Sequence, residues 1–328
     1  MDIKKSKTLL EVKDLCKHYP IRKGLFSRIA GYVYAVDGIS FTINEGETLG
    51  LVGESGCGKS TVGRTILKLI EPSRGEIIWR GERIDELSRS QMRPYRQQIQ
   101  AVFQDPYSSL NPRMRSADIV SEPLRHFESL SKAQGRERVS ALFERVGLRP
   151  DQMLRFPHEF SGGQRQRLGI ARALSVKPKL IMLDEPVSAL DVSVQAQVIN
   201  LLEDLQREFQ VSYLFVAHDL AVVKHISHRV AVMYLGRIVE LAPTKLLFST
   251  PSHPYTEALL SAVPVPDPKY QRKQIVLGGD VPSPINRPNG CHFHTRCRYA
   301  QERCKVEEPI LEEITPGHSV ACHFKLNK

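Results

Sequence analysis

This chain of 328 residues has no apolar run long enough to cross a bilayer. A membrane helix takes about 20 such residues, and the core-like stretch Leu180-Ile181-Met182-Leu183 falls far short of that. The opening Met1-Asp2-Ile3-Lys4-Lys5-Ser6-Lys7 carries positive charge with no apolar segment after it, which argues against a secretory signal and predicts a cytosolic chain. Sustained heptads are lacking too, so no long coiled coil is expected. Basic residues such as Arg89, Arg93, Arg96, Arg136, Arg138 and Arg145 lack the interleaved aromatics of a single-strand nucleic-acid groove. The net charge of +10 therefore reads as a solvated surface, and no nucleic-acid partner is expected. The six cysteines include no tight C-x-x-C knuckle. What remains, 41% hydrophobic and 25% charged, is an ordinary globular balance, with length for two domains or one domain and an appendage.

Against that plain background, residues 49–61 read Leu-Gly-Leu-Val-Gly-Glu-Ser-Gly-Cys-Gly-Lys-Ser-Thr. Gly53, Gly58, Lys59 and Ser60 fit G-x-x-x-x-G-K-[ST] between an apolar strand and the helix-like Val62 to Ile70. Glycines let the amides of Gly53, Ser55, Gly56, Cys57 and Gly58 curl round phosphates. Lys59 then reaches the β- and γ-phosphates, Ser60 holds Mg²⁺, and Thr61 follows on the helix.

Three further apolar strands end in polar groups. Lys179 to Leu183 ends in Asp184-Glu185, where Asp184 can hold Mg²⁺ and Glu185 can polarise an attacking water. Ile99 to Phe103 ends in Gln104, an amide able to touch Mg²⁺ and water. Ser212 to Ala217 ends in His218, which can bond a γ-phosphate oxygen and orient water. Four strands delivering polar groups to one sheet edge are hard to explain as packing.

Between these elements stands Phe160-Ser161-Gly162-Gly163-Gln164. Adjacent glycines leave backbone amides unshielded, and a helix starting there points its positive end at an anion. The chain already has a phosphate loop, so the second anion is read as the ATP of a facing chain.

Together these residues resemble an ABC-transporter ATPase subunit over nearly the whole chain. The resemblance makes Gly53–Thr61 the Walker A motif, Gln104 the Q-loop, Phe160–Gln164 the signature and Leu180–Asp184 Walker B. Glu185 becomes the catalytic glutamate, Ser188-Ala189-Leu190-Asp191 the D-loop and His218 the switch histidine. It implies an α/β, RecA-like P-loop core with an inserted helical subdomain. It also implies an aromatic on adenine, with Tyr19 as candidate and Tyr32 or Tyr34 as alternatives. The inserted stretch Ile21 to Val33, the run Phe103-Gln104-Asp105-Pro106-Tyr107-Ser108-Ser109-Leu110-Asn111-Pro112 and His253-Pro254-Tyr255-Thr256 are similar to the oligopeptide/dipeptide importer ATPases, most of all their dipeptide-type F subunit. That implies ATP and Mg²⁺ as ligands. The implied partners are a second, related ATPase subunit in a heterodimer, two membrane permease subunits and an extracytoplasmic solute-binding protein. The place implied is peripheral, on the cytoplasmic face of the membrane. Nickel or oligosaccharide import, and a soluble ATPase acting on nucleic acid, stand as alternatives.

The expected division is a core over residues 1–115 and 176–248, a helical subdomain over 116–175 and an extension over 249–328. Val198, Leu201, Leu202, Leu205 and Phe209 recur at helical spacing and predict a packed face. Arg229–Tyr234 and Arg237–Leu241 predict a strand pair. Beyond Phe248, Pro251, Pro254, Pro264, Pro266, Pro268, Pro282, Pro284 and Pro288 predict an extended tail. That tail holds Cys291, Cys297, Cys304 and Cys322, spaced C-x5-C-x6-C-x17-C. Four thiolates suffice for a [4Fe–4S] cluster, and the resemblance points the same way. A zinc site is the alternative, since His292, His294 and His323 could each replace a cysteine. Cys57 and Cys16 read as structural.

Overall fold

The computed structural model describes residues 7–24, 26–105, 109–263 and 274–327. Leu25, Pro106, Tyr107, Ser108, Pro264, Pro266 and Pro268 lie outside the described residues, as does most of the N-terminal segment read above. The chain divides into two compact units, each built from several stretches.

One unit comprises Met1–Thr8, Ile43–Glu47 and Glu86–Val216. Its strands β6 (Ile99–Val102), β7 (Leu180–Asp184) and β8 (Ser212–Ala217) pair in parallel, Val102 opposite Leu183 and Asp184 opposite Val216. β7 and β8 are buried throughout, as continuous apolar parallel strands must be. Between β6 and β7 the described residues from 116 to 174 hold helices and their connections, and no strand. These include α3 (Ser116–Phe127), α4 (Lys132–Arg145) and α5 (Gly162–Leu174). α6 (Val192–Phe209) buries Val198, Ile199, Leu202 and Leu205. Ile199 thus takes the inner place expected of Leu201 and Phe209, which are only half-buried.

The other unit comprises Leu9–Thr42, Thr48–Asp85 and Ala217–Lys328. One sheet orders β2 (Arg28–Asn44), β1 (Thr8–Lys23), β4 (Arg74–Trp79) and β5 (Glu82–Arg83). The inserted stretch lengthens the first two of these strands. A second run orders β11 (Glu312–Thr315), β12 (His318–Val320), β10 (Arg237–Pro243), β9 (Arg229–Tyr234) and β3 (Thr48–Val52). β3 and β9 are parallel, with Val52 opposite Val232.

The tail is more ordered than its proline content predicts. α9 (Pro254–Ser261) begins on Pro254, a position where the missing N–H has no helical partner to lose. The β11–β12 pair then adds to β10 as an antiparallel edge, Ser319 opposite Leu241. Proline here starts a helix instead of ending one.

Candidate functional site

The phosphate loop follows β3 and leads into α1 (Lys59–Ile66), whose N-cap is Gly58. Gly53 has φ +152° and a Cβ there would stand 2.1 Å from Met233 O. At Gly58, φ +108°, a Cβ would stand 2.0 Å from Ala35 O. No side chain fits at either position, so the loop is pressed between β2 and the end of β9. Gly236 donates its N–H to Cys57 O at 3.0 Å and closes the loop from below. Lys59 Nζ donates to Gly53 O at 2.7 Å and Glu54 O at 3.0 Å, which holds its charge at the loop mouth. Cys57 is buried, and burial pushes its thiol up, so it is a poor nucleophile.

Two residues from the tail hold this loop from outside. Arg296 makes a fork on Glu54, Nη1 to Oε2 at 2.7 Å and Nη2 to Oε1 at 3.0 Å. Tyr255 accepts the Glu54 backbone N–H at 2.9 Å through its hydroxyl. Sequence reasoning missed both, because an Arg–Glu pair separated by 242 positions leaves no local pattern.

In the other unit, Gln104 Nε2 donates to Glu185 Oε2 at 3.0 Å. Asp184 is buried at the end of β7. Glu185 follows with φ +47°, a left-handed conformation that a non-glycine residue adopts at some energetic cost. Its N–H is nevertheless held by Val216 O at 2.9 Å, and Ser188 Oγ donates to its carbonyl at 3.1 Å. The carboxylate is thus aimed by its backbone as well as by Gln104. His218, exposed, belongs to the unit of the phosphate loop and precedes Asp219, whose Oδ1 caps the next helix by accepting Ala221 N–H at 2.8 Å.

Ser161 is the exposed N-cap of α5. Its Oγ accepts Gln164 N–H at 3.4 Å while Gln164 Oε1 accepts Ser161 N–H at 3.0 Å. This reciprocal pair fixes the helix start and uses two of its orphan amides. Gly162 and Gly163 abut the turn after β7. A Cβ on Gly162 would lie 3.3 Å from Leu190, and one on Gly163 only 2.4 Å from Val194 Cγ1.

Of the candidate aromatics, Tyr34 is engaged, with the Arg287 guanidinium 3.9 Å from its ring centre and His18 edge-on at 4.6 Å. Tyr19 and Tyr32 are more than one-third exposed. Lys17 Nζ lies 4.9 Å over the Tyr19 ring.

All four tail cysteines line one small cavity with Phe293, His294 and His323. Burial pushes the Cys291 thiol up to about 12 and the Cys322 thiol to about 11, and raises Cys297 as well. These thiols therefore rest protonated, and a cation binding among them would have to displace those protons. Among the described residues, the group with all donor atoms within 4.8 Å of one another is Cys16, His18 and Asp37. Asp37 there already takes Arg287 at 2.6 Å, Arg237 at 2.7 Å and His18 at 2.7 Å, so it has no need of a metal.

The ABC transporter family matches residues 36–188, and the family described as the oligopeptide/dipeptide transporter C-terminal region matches residues 239–304. A probable peptide ABC transporter ATP-binding protein of Sinorhizobium fredii is 55% identical over 98% of this chain and 91% of its own length. The oligopeptide transport ATP-binding protein AppF of Bacillus subtilis is 55% identical over 97% of both chains. Among solved structures, a dimeric ATP-binding cassette in a post-hydrolysis state with ADP and phosphate matches with TM-score 0.65 and 27% identity, over 72% of this chain and 99% of that one. The motifs, the cassette fold and relatives more than half identical along nearly the whole length agree: the chain belongs to the ATP-binding subunits of ABC transporters, in the oligopeptide/dipeptide group.

Proposed function

We propose that this chain hydrolyses ATP to drive uptake of di- or oligopeptides through membrane permease subunits. The observation that carries the catalytic reading is the Gln104–Glu185 hydrogen bond at the strand ends, with Glu185 held in a strained backbone conformation. Amides of Gly53, Ser55, Gly56, Cys57 and Gly58, with Lys59 and Thr61, bind the phosphates, and Tyr19, whose ring is more open than that of Tyr34, stacks on adenine. Ser60, Gln104 and the carboxylate of Asp184 are the residues that would hold Mg²⁺, which when bound would offset charge on the β- and γ-phosphates. Glu185 takes a proton from the attacking water, and His218 orients that water against the γ-phosphate.

Ser161, Gly162, Gly163 and Gln164 serve the ATP of a facing, related ATPase subunit. Residues 116–175 act as the helical subdomain of a RecA-like core formed by 1–115 and 176–248. The assembled importer adds two permeases and an extracytoplasmic binding protein, which places this chain peripherally on the inner face of the membrane. The names of the relatives support the peptide class.

The four thiols Cys291, Cys297, Cys304 and Cys322, lining one cavity, support a [4Fe–4S] cluster held there, with zinc as the alternative. A cluster would staple a tail that has little core of its own. Iron and acid-labile sulfide in anaerobically purified protein are the expected result, and stoichiometric zinc without iron would refute it. For the ATP site, Glu185→Gln in the assembled complex is expected to lower hydrolysis by about 10²–10⁴-fold while ATP still binds. Unchanged turnover would sink the assignment.

A further inference from the structure

The loop that carries Lys59 and the cavity lined by the four thiols are joined by two short connections within one unit. The first is polar. Arg296 precedes Cys297 in sequence, its side chain is 7% exposed, and both its terminal nitrogens are spent on the Glu54 carboxylate. The second is aromatic. Phe293 lines the thiol cavity and stands two residues after Cys291. Its ring packs against Tyr255 at 5.3 Å and edge-on against Tyr234 at 5.2 Å. Tyr255, 4.8 Å from Tyr234, then spends its hydroxyl on the Glu54 amide.

Both connections end on one residue, the first after Gly53, and one grips its side chain while the other grips its backbone. Glu54 O is also a ligand of Lys59 Nζ, at 3.0 Å. A shift of Glu54 therefore moves the charge that meets the phosphates. The Tyr255 hydroxyl also occupies an amide that would otherwise compete in the loop for an anion, which leaves the remaining amides to define the phosphate cradle.

We infer that Arg296 and Tyr255 are positioning residues for the phosphate loop, and that a metal or cluster held by Cys291, Cys297, Cys304 and Cys322 sets nucleotide affinity through them. This rests on the ATP-site reading above. Without a cation the thiol site is held by backbone bonds, among them Cys291 N–H to Cys304 O at 2.8 Å and Cys297 N–H to His294 O at 3.4 Å, so the anchors of Arg296 and Phe293 are looser. An occupied site holds both connections taut.

The test is equilibrium binding of trinitrophenyl-ATP to the full chain, followed by steady-state hydrolysis. Arg296→Ala is expected to raise the nucleotide Kd and KM roughly tenfold, the loss of a charge-assisted fork, with kcat within about twofold. Arg296→Lys should recover part of the affinity. Tyr255→Phe, which keeps the ring and removes only the hydroxyl, should raise Kd about threefold to tenfold. It carries the test alone should Arg296→Ala fail to fold. Cys322→Ser leaves Arg296, Tyr255 and Glu54 untouched. It is expected to lower metal content and raise Kd in the wild-type background, but to add nothing in the Arg296→Ala background. Unchanged Kd in both Arg296→Ala and Tyr255→Phe overturns the positioning role. An effect of Cys322→Ser that is absent in the wild type, or fully additive with Arg296→Ala, overturns the link to the thiol site. Lys59→Ala reports separately on the underlying site: if it leaves nucleotide binding intact, the ATP reading itself is at fault.

Discussion

At Gly163 a Cβ would meet Val194 Cγ1 at 2.4 Å, on the helix that follows Asp191. The sequence suggests one reason for two adjacent glycines there, exposed amides for an anion. Packing supplies another for the second of them. Gly163→Ala is therefore expected to cost about 1–3 kcal/mol of stability through overpacking, read as a lowered melting temperature, and Val194→Ala in the same chain should restore most of it. A stable Gly163→Ala variant would show that Val194 yields freely. The left-handed Glu185 was equally hidden, since φ is not written in a residue type. By contrast Lys59, Gln104 and Asp184 were legible because each follows an apolar strand within a few positions, and local spacing survives in a sequence.

α9 shows what the tail's composition concealed. Its N-cap, His253, is buried and accepts the Tyr255 N–H at 3.0 Å through Nδ1, which only a neutral ring can do. Its own N–H goes to Glu240 Oε2 at 3.0 Å, and Glu240 Oε1 also meets His318 at 2.8 Å. Burial holds the His253 ring at about 4 despite the Glu240 charge, and burial with Arg287 and Arg237 does the same to His292. The folded value lies below the unfolded one of about 6.5. Folding stability is thus full above about pH 6.5, falls as the unfolded chain takes up protons, and levels off below about pH 4. His253 accounts for a loss on the order of 3 kcal/mol across that window. Melting temperatures at pH 7, 5.5 and 4.5 should fall together with helix loss in this region. His253→Asn, which caps without titrating, should flatten the slope, and an identical slope would contradict the assignment. Proline spacing alone could not reveal a histidine cap.

On the scale of the whole molecule, Asp37 gathers segments that are remote in sequence. It binds His18 of β1, Arg237 at the start of β10 and Arg287 of the tail. Burial pushes its carboxyl up, but Arg287, Arg237 and His18 outweigh that and hold it far below the usual carboxylate range. Its contribution is present above about pH 4 and is lost only in stronger acid, so the loss between pH 6.5 and 4 belongs to the histidines. Asp37→Asn leaves two guanidinium groups facing a neutral amide and is expected to destabilise the chain by about 3 kcal/mol or more, measured by denaturant unfolding at pH 7. No change would mean that solvent takes over both arginines.

The fork between Glu54 and Arg296 also bears on how such chains can be recombined. Grafting residues 249–328 from a paralogue looks, on the linear map, like exchanging an accessory. In space it replaces Arg296 and Tyr255 together and leaves Glu54 behind. A graft without an arginine at position 296 would leave the Glu54 carboxylate without its fork, so the two positions need to be carried over together.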